Sequence, residues 1–205
     1  MSAQADRPKP GLRERKKAKT REAIQHSALA LFRKHGYAST TIEQICEAAE
    51  ISESTFFRYF PTKEAVVLTD EYDPLIADAF RAQPAGLGVI AALRRAIRSV
   101  FDTMTPDELA DQRERSAMTF DVPELWGAAL VQLTDTMQLV ADLISERLGR
   151  EPDDPAVRNL AGAIVGVMIG QLRTWGENPD IDVVASIDDA LAFLQKGLPI
   201  GRKRR

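Results

Sequence analysis

The sequence predicts an all-α chain, with an N-terminal three-helix helix-turn-helix domain followed by a larger helical domain and about nine helices altogether. Three observations predict it. Apolar residues recur three and four apart through most of the chain, Ser, Thr and Asp caps with Pro and Gly stops punctuate those stretches, and no segment of useful length alternates apolar and polar residues as a half-buried strand does.

The first long helix is expected from about Arg13 to His35, with Ile24, Ala28, Leu31 and Phe32 as its apolar stripe and Gly36 as its stop. Two short helices follow across a tight turn. Thr40 with Glu43 has the form of a capping box, Ile42, Ile45, Cys46 and Ala49 repeat at helical spacing, and the pattern stops near Glu50. Ser52 caps the second short helix, in which Phe56 and Phe60, four apart, face inward while Ser54, Thr55, Arg58 and Tyr59 share an outward face. Hydroxyls, an arginine and a tyrosine on a short helix suit a DNA major groove. Thr62 is the expected cap of a fourth helix bearing Ala65, Val66, Leu68 and Leu75, with Lys63 near its N-terminus where phosphate is attracted.

The second domain continues in the same manner. Ile90, Leu93, Ile97, Val100, Phe101 and Met104 mark one helix; Thr105-Pro106-Asp107-Glu108 opens the next with a capping box and a proline at its first position. After Pro123 a long helix carries Leu125, Trp126, Ala129, Leu130, Leu133, Met137, Val140, Ile144 and Leu148 on one side until Gly149. The helix opened by Asp153-Asp154-Pro155 contains an apolar run from Leu160 to Leu172 with Gly162, Gly166 and Gly170 on one stripe. Each glycine costs a helix roughly 1 kcal/mol relative to alanine, so three imply compensating close packing against another helix. The run falls short of the about 20 apolar residues that span a bilayer, so a buried helix is expected and no membrane partner. The last helix runs from about Val183 to Leu198, with Ile187, Leu191, Leu194 and Leu198 in register.

Composition fits an ordinary globular protein, at 44% hydrophobic and 28% charged residues. One cysteine, Cys46, excludes an internal disulfide, and with no signal-like opening segment a reducing cytoplasm is expected. The net charge of -3 conceals an uneven distribution: residues 1 to 63 carry 12 Lys or Arg against 7 Asp or Glu, the rest 15 against 23. The basic excess therefore coincides with the helix-turn-helix. Arg13, Arg15, Lys16, Lys17, Lys19 and Arg21 crowd before and into the first helix, as a DNA-binding arm or as a solvated tail.

The segments Ala30-Leu31-Phe32-Arg33-Lys34-His35-Gly36-Tyr37, Thr40-Thr41 with Ile45, and Ser52 through Phe60 followed by Lys63-Glu64 resemble the DNA-binding domain of the TetR family of bacterial transcriptional regulators. The resemblance covers about residues 18 to 72, a quarter of the chain. It implies that Thr41, Ser52, Ser54, Thr55, Phe57, Arg58, Tyr59 and Lys63 touch double-stranded operator DNA, with Arg58 as the best reader of guanine O6 and N7. Phe57 departs from the family, which usually has a tyrosine there whose hydroxyl meets a phosphate; here the contact is apolar or absent. The resemblance further implies a homodimer on a near-palindromic operator, its recognition helices about 34 Å apart or a multiple of that. By position, Gly162, Gly166, Gly170, Leu191 and Leu194 would form the dimer interface, the alternative being an intrachain contact.

The resulting division is an arm at 1–12, a DNA-binding domain at 13–72 with the helix-turn-helix at about 41–60, a ligand-binding and dimerisation domain at 73–199, and a basic tail at 200–205. A repressor released by a hydrophobic small molecule is the expectation, with the fourth helix linking the two domains. Phe101, Met104, Met118, Phe120, Trp126, Leu130 and Met137 would line an apolar cavity or serve as plain core. Val122-Pro123-Glu124-Leu125, Glu146-Arg147-Leu148-Gly149 and Pro152-Asp153-Asp154-Pro155 are similar to a TetR subgroup associated with acyl-CoA-like ligands, in which Arg94, Arg95 or Arg98 would meet phosphates. A sensor of drugs or secondary metabolites is the alternative effector class; an architectural DNA protein is the alternative to a regulator. Nothing suggests an enzyme, a cofactor or a metal: His26 and His35 lie nine apart, off the spacing of a helical metal pair.

Overall fold

The structure, a computed structural model, describes residues 12–69 and 72–199, and among these every regular element is helical. In chain order they are α1 (Leu12–His35), α2 (Ile42–Ala48), α3 (Glu53–Tyr59), α4 (Lys63–Leu68), α5 (Tyr72–Arg81), α6 (Val89–Phe101), α7 (Pro106–Asp121), α8 (Pro123–Leu148), α9 (Pro155–Glu177) and α10 (Val183–Gln195). One helix more than expected arises because the stretch after Lys63 breaks in two. Pro74 falls in the first turn of α5, where its missing N–H costs nothing, so Leu75 belongs to α5 and is exposed rather than part of a core. Most of the 1–12 arm and the 200–205 tail lie outside the described residues.

The chain divides between Val67 and Leu68 into two compact units, a few residues before the boundary the sequence suggested. The first is held by Ile24, Ala28, Leu29 and Phe32 of α1, Ile45 and Cys46 of α2, Phe56 of α3 with Phe60 behind it, and Ala65, Val66 and Val67 of α4, all buried. Burial pushes the Cys46 thiol above its ordinary range, aided by the nearby charge of Glu53.

The second unit contains two apolar clusters. One joins Ala77 and Phe80 of α5, Val89, Ala92 and Ala96 of α6, Ala141 and Ile144 of α8, and Val157, Ala161 and Ile164 of α9. The other joins Ile97 and Phe101 of α6, Trp175 of α9, and Val183, Ile187 and Leu191 of α10. Thr105 caps α7 through its box with Glu108, Asp154 caps α9, and Gly149 closes α8 at φ 62°. α10 stops at Gln195, three residues early, because Gly197 and Leu198 turn to positive φ; Leu198 is exposed and out of register.

Two apolar stripes behave differently from expectation. That of α8 is buried only toward its ends, at Leu125, Ala141 and Ile144, while Leu130 is 46% and Met137 37% exposed. On α9 the close packing expected of the glycine stripe is absent among the described residues: a Cβ on Gly166 or Gly170 would meet nothing within 4 Å, and one on Gly162 would reach only the Met137 side chain, at 3.3 Å. The close approach occurs instead at Gly176, where a Cβ would stand 2.9 Å from the Ala117 backbone of α7. α9 is long and apolar enough to cross a membrane, but it packs against α7, α8 and α10 and buries Val157, Ala161, Ile164, Val165 and Trp175.

Gly176→Ala should therefore cost about 1–3 kcal/mol through overpacking against a helix backbone. Gly127→Ala on α8, where a Cβ meets nothing within 4 Å, should instead gain up to about 1 kcal/mol. Denaturant midpoints of the two variants decide it; equal shifts would mean that α7 and α9 do not approach so closely.

Candidate nucleic-acid interface

Seven residues make α3, too few for a helix that persists without tertiary support. Support comes from Phe56 and Phe60, both fully buried with ring centroids 6.1 Å apart. Ser52 is the N-cap, accepting from the Thr55 N–H at 3.2 Å. With that face fixed, Glu53, Ser54, Phe57 and Arg58 point to solvent, while Thr55 and Tyr59 are half-buried at the edges. The Ser52 hydroxyl lies 2.9 Å from that of Ser54 and 3.0 Å from that of Thr55, a hydroxyl cluster at the start of the helix. The Arg58 guanidinium stands over the Tyr59 ring, 5.5 Å from its centroid.

The turn before α3 uses Glu50 at φ 54°, a left-handed position filled by a residue other than glycine, and the Ile51 N–H returns to the Cys46 carbonyl at 2.9 Å. The capping box of α2 sits one residue later than the sequence suggested. Thr41 accepts from the Gln44 N–H at 3.2 Å, and the Gln44 side-chain oxygen accepts from the Thr41 N–H at 2.9 Å. Thr40 is unavailable because it is buried, with its hydroxyl donating to the Gly36 carbonyl at 2.9 Å. The Thr-x-x-Gln spacing was readable in the sequence, but Thr-x-x-Glu beside it fits the box equally well.

Several cations expected at phosphates have internal work. Lys63 Nζ donates to the carbonyls of Tyr37 (2.9 Å) and Thr40 (3.0 Å) and lies 4.1 Å from the Tyr37 ring centroid, clamping the α1–α2 turn to the start of α4. An ammonium has three donors, so one N–H is left over from these two bonds. Arg21 lies over the Phe60 ring and reaches the Tyr59 carbonyl at 3.4 Å, at the C-terminal end of α3. Arg13, Arg15, Lys16 and Lys17 belong to the first turns of α1, and Lys16, Lys17 and Lys19 are exposed. Thr62 caps α4 through the Ala65 N–H as expected, and Gln25 donates to the Val66 carbonyl at 3.0 Å. Glu64 is held below the ordinary 4.5, chiefly by its own backbone N–H and then by the Thr62 and Tyr37 hydroxyls and the Lys63 charge, with burial opposing.

In the second unit, the residues expected to line a cavity are dispersed. Phe101 and Met104 belong to the α6–α9–α10 cluster, Phe120 and Trp126 pair with centroids 5.2 Å apart, Met118 is half-buried on α7, and Leu130 and Met137 are exposed on α8. Arg94 is not free for a ligand phosphate: it donates twice to Asp188, at 2.9 and 2.6 Å, and Arg98 joins the same carboxylate at 3.2 Å. The Arg94 bonds hold the Asp188 carboxyl below its usual range. Leu191, expected at a dimer interface, is fully buried in the chain's own α6–α9–α10 cluster, and Leu194 is partly buried against the α5–α6–α8–α9 cluster; Phe193 is the exposed large residue of α10. Sequence reasoning also missed Arg115, a buried guanidinium on α7 that donates to the Thr69 carbonyl at 2.8 Å and to Gln112. Among the described residues no three His, Cys, Asp or Glu side chains are grouped to hold a metal.

Residues 24–69 match the family described as bacterial regulatory proteins, tetR family, and residues 87–199 match the MftR C-terminal domain. The chain is 34% identical over 190 residues to the HTH-type transcriptional regulator TcmR of Streptomyces glaucescens, spanning 86% of this chain and 81% of that protein. It is 25% identical over 191 residues to MftR of Mycobacterium tuberculosis, whose name ties it to mycofactocin biosynthesis, spanning 90% and 93%. Among solved structures, Thermus thermophilus FadR in complex with lauroyl-CoA aligns at TM-score 0.53 and 25% identity, covering 90% of this chain and 98% of that one. A TetR-family structure from Syntrophomonas wolfei aligns at TM-score 0.64 and 20% identity over 91% and 97%.

Lys63→Met should leave the Tyr37 and Thr40 carbonyls without their donor and cost about 1–3 kcal/mol in a denaturant titration. A neutral result would remove Lys63 from the clamp. Glu64 gives a pH signature with a definite sign: its folded pKa is depressed, so its contribution is complete above about pH 4.5 and is lost as pH falls through the folded value. The stability gap between wild type and Glu64→Gln, measured as a thermal midpoint difference, should be present at neutral pH and close in acid; a gap that widened in acid would contradict the assignment.

Proposed function

The chain belongs to the TetR family of bacterial transcriptional regulators, DNA-binding proteins and not enzymes, and on that premise we propose that it is a ligand-released repressor. It binds a near-palindromic operator as a homodimer and is released by a hydrophobic small molecule, an acyl-CoA or a fatty acid. The observation that carries the reading is the solvent face of α3, where Ser54, Phe57 and Arg58 are presented by a helix whose other face is locked by Phe56 and Phe60. Such a helix reads only a few base pairs, and two-fold symmetry repeats that reading on the next turn of the same DNA face.

The dimer reading is supported by the helix that wastes glycines. Gly166 and Gly170 are exposed and meet no neighbour within 4 Å, and each costs the helix roughly 1 kcal/mol relative to alanine unless a second helix approaches it. Phe193 on α10 adds an exposed ring, replacing Leu191 as the large apolar residue available to a partner.

The effector reading is supported by the match of 87–199 to the MftR C-terminal domain and by the likeness to FadR, a repressor with lauroyl-CoA bound. Arg94 is half-buried against Asp188, whereas Arg95 and Arg98 are both exposed, Arg98 with one bond to the same carboxylate. A ligand that binds better to the DNA-incompetent arrangement lowers operator affinity by its differential affinity for the two arrangements. The regulator acts in the cytoplasm, where its operator is.

Operator binding in the presence of fatty acyl-CoAs, fatty acids and hydrophobic drugs tests the effector class. Release by micromolar acyl-CoA is expected, and indifference to every acyl-CoA would end that reading. Arg58→Ala should weaken operator binding by about 1–3 kcal/mol and relax base preference at one position per half-site. Gly166→Trp should sediment as a monomer; an unchanged dimer would move the interface elsewhere.

A further inference from the structure

Resting on the operator-binding reading, we propose that Phe57 reads the C5-methyl group of a thymine in each operator half-site. The ring is 49% exposed, although α3 is the helix whose apolar side chains fix it to the core. It has no room there, because Phe56 and Phe60 already occupy the inward positions at full burial. Phe56 also holds it in place: the two rings meet edge to face at 5.4 Å and 87°, so Phe57 stands outward as a supported apolar projection. Its exposed neighbours on the same surface are Glu53, Ser54 and Arg58, a carboxylate, a hydroxyl and a guanidinium that can each meet a base edge.

A phenyl ring donates and accepts no conventional hydrogen bond, so it cannot anchor to a phosphate or match the donor and acceptor pattern of a base edge. The major groove offers one apolar group, the thymine methyl. Contact with it removes apolar surface of both partners from water and distinguishes T·A from C·G, which lacks the methyl. Arg58 is the next residue along the same helix, so the thymine lies close to the guanine that Arg58 reads. Two adjacent side chains then specify adjacent positions by different means, one by paired hydrogen bonds and one by shape and burial.

The test uses the full-length chain and an operator obtained by selection from random duplexes. Each thymine is replaced in turn by deoxyuridine, symmetrically in both half-sites, and affinity is measured at one fixed salt concentration. Wild type should lose about fourfold per half-site at one position and little at the others. Replacing that thymine by cytosine should weaken binding, and 5-methylcytosine should recover part of the loss. Phe57→Ala should no longer distinguish thymine from deoxyuridine at that position while keeping the preference due to Arg58. Wild-type affinity unaffected by deoxyuridine at every position would overturn the inference, as would undiminished methyl sensitivity in Phe57→Ala; the first measurement needs no variant and can overturn the inference even if Phe57→Ala fails to fold. Failure of the selection to yield any preferred sequence would overturn the operator-binding reading itself, and this inference with it.

Discussion

Burial of Phe56 and Phe60 is the constraint on which the DNA-binding unit depends. Successive residues on a helix are rotated by about 100°, so the two buried rings fix which residues α3 can show to solvent. Rotation by one position would expose Phe56 and bury Phe57, exchanging a filled core site for one with no space. A helix of seven residues has little stability of its own, and the energy that holds it in this rotation is the transfer of two phenyl rings out of water. The chemistry of the outward face is thus decided by residues that never face DNA.

The rim around α3 makes the same point with polar groups. Thr40, Lys63 and Arg21 each satisfy backbone carbonyls: the end of α1, the α1–α2 turn and the end of α3. Orphan carbonyls at helix ends need donors, and a long cation that covers an aromatic ring on its way supplies one. Positive charge near a helix-turn-helix therefore serves two masters. The exposed lysines Lys16, Lys17 and Lys19 at the start of α1 carry charge into solvent.

Most of the first unit was legible in the sequence because its signals are local. Caps at Ser52 and Thr62, the stop at Gly36 and the inward pair Phe56 and Phe60 depend only on near neighbours, and all stand as read. What failed involved competition or distance. Thr40 and Thr41 could each cap α2, and only the burial of Thr40 under α1 decides between them. The clamp made by Lys63 was not legible because its two carbonyl partners are 23 and 26 residues away. In the second unit, the α8 stripe is continuous in sequence but buried only where neighbouring helices, α5, α6, α7 and α9, cover it, which periodicity does not encode. The tight helix contact falls not on the glycine stripe but at Gly176, outside it.

The central claim is that the outward face of α3 reads a specific DNA sequence. The most direct test is the ratio of affinities for a selected operator and for random duplex at one fixed salt concentration, since phosphate contacts raise both alike and base contacts raise only the first. A ratio of about 1,000 or more is the result this arrangement predicts. A ratio near one, with both affinities falling equally steeply with salt, would contradict it and leave a charged helical surface that coats DNA without reading it.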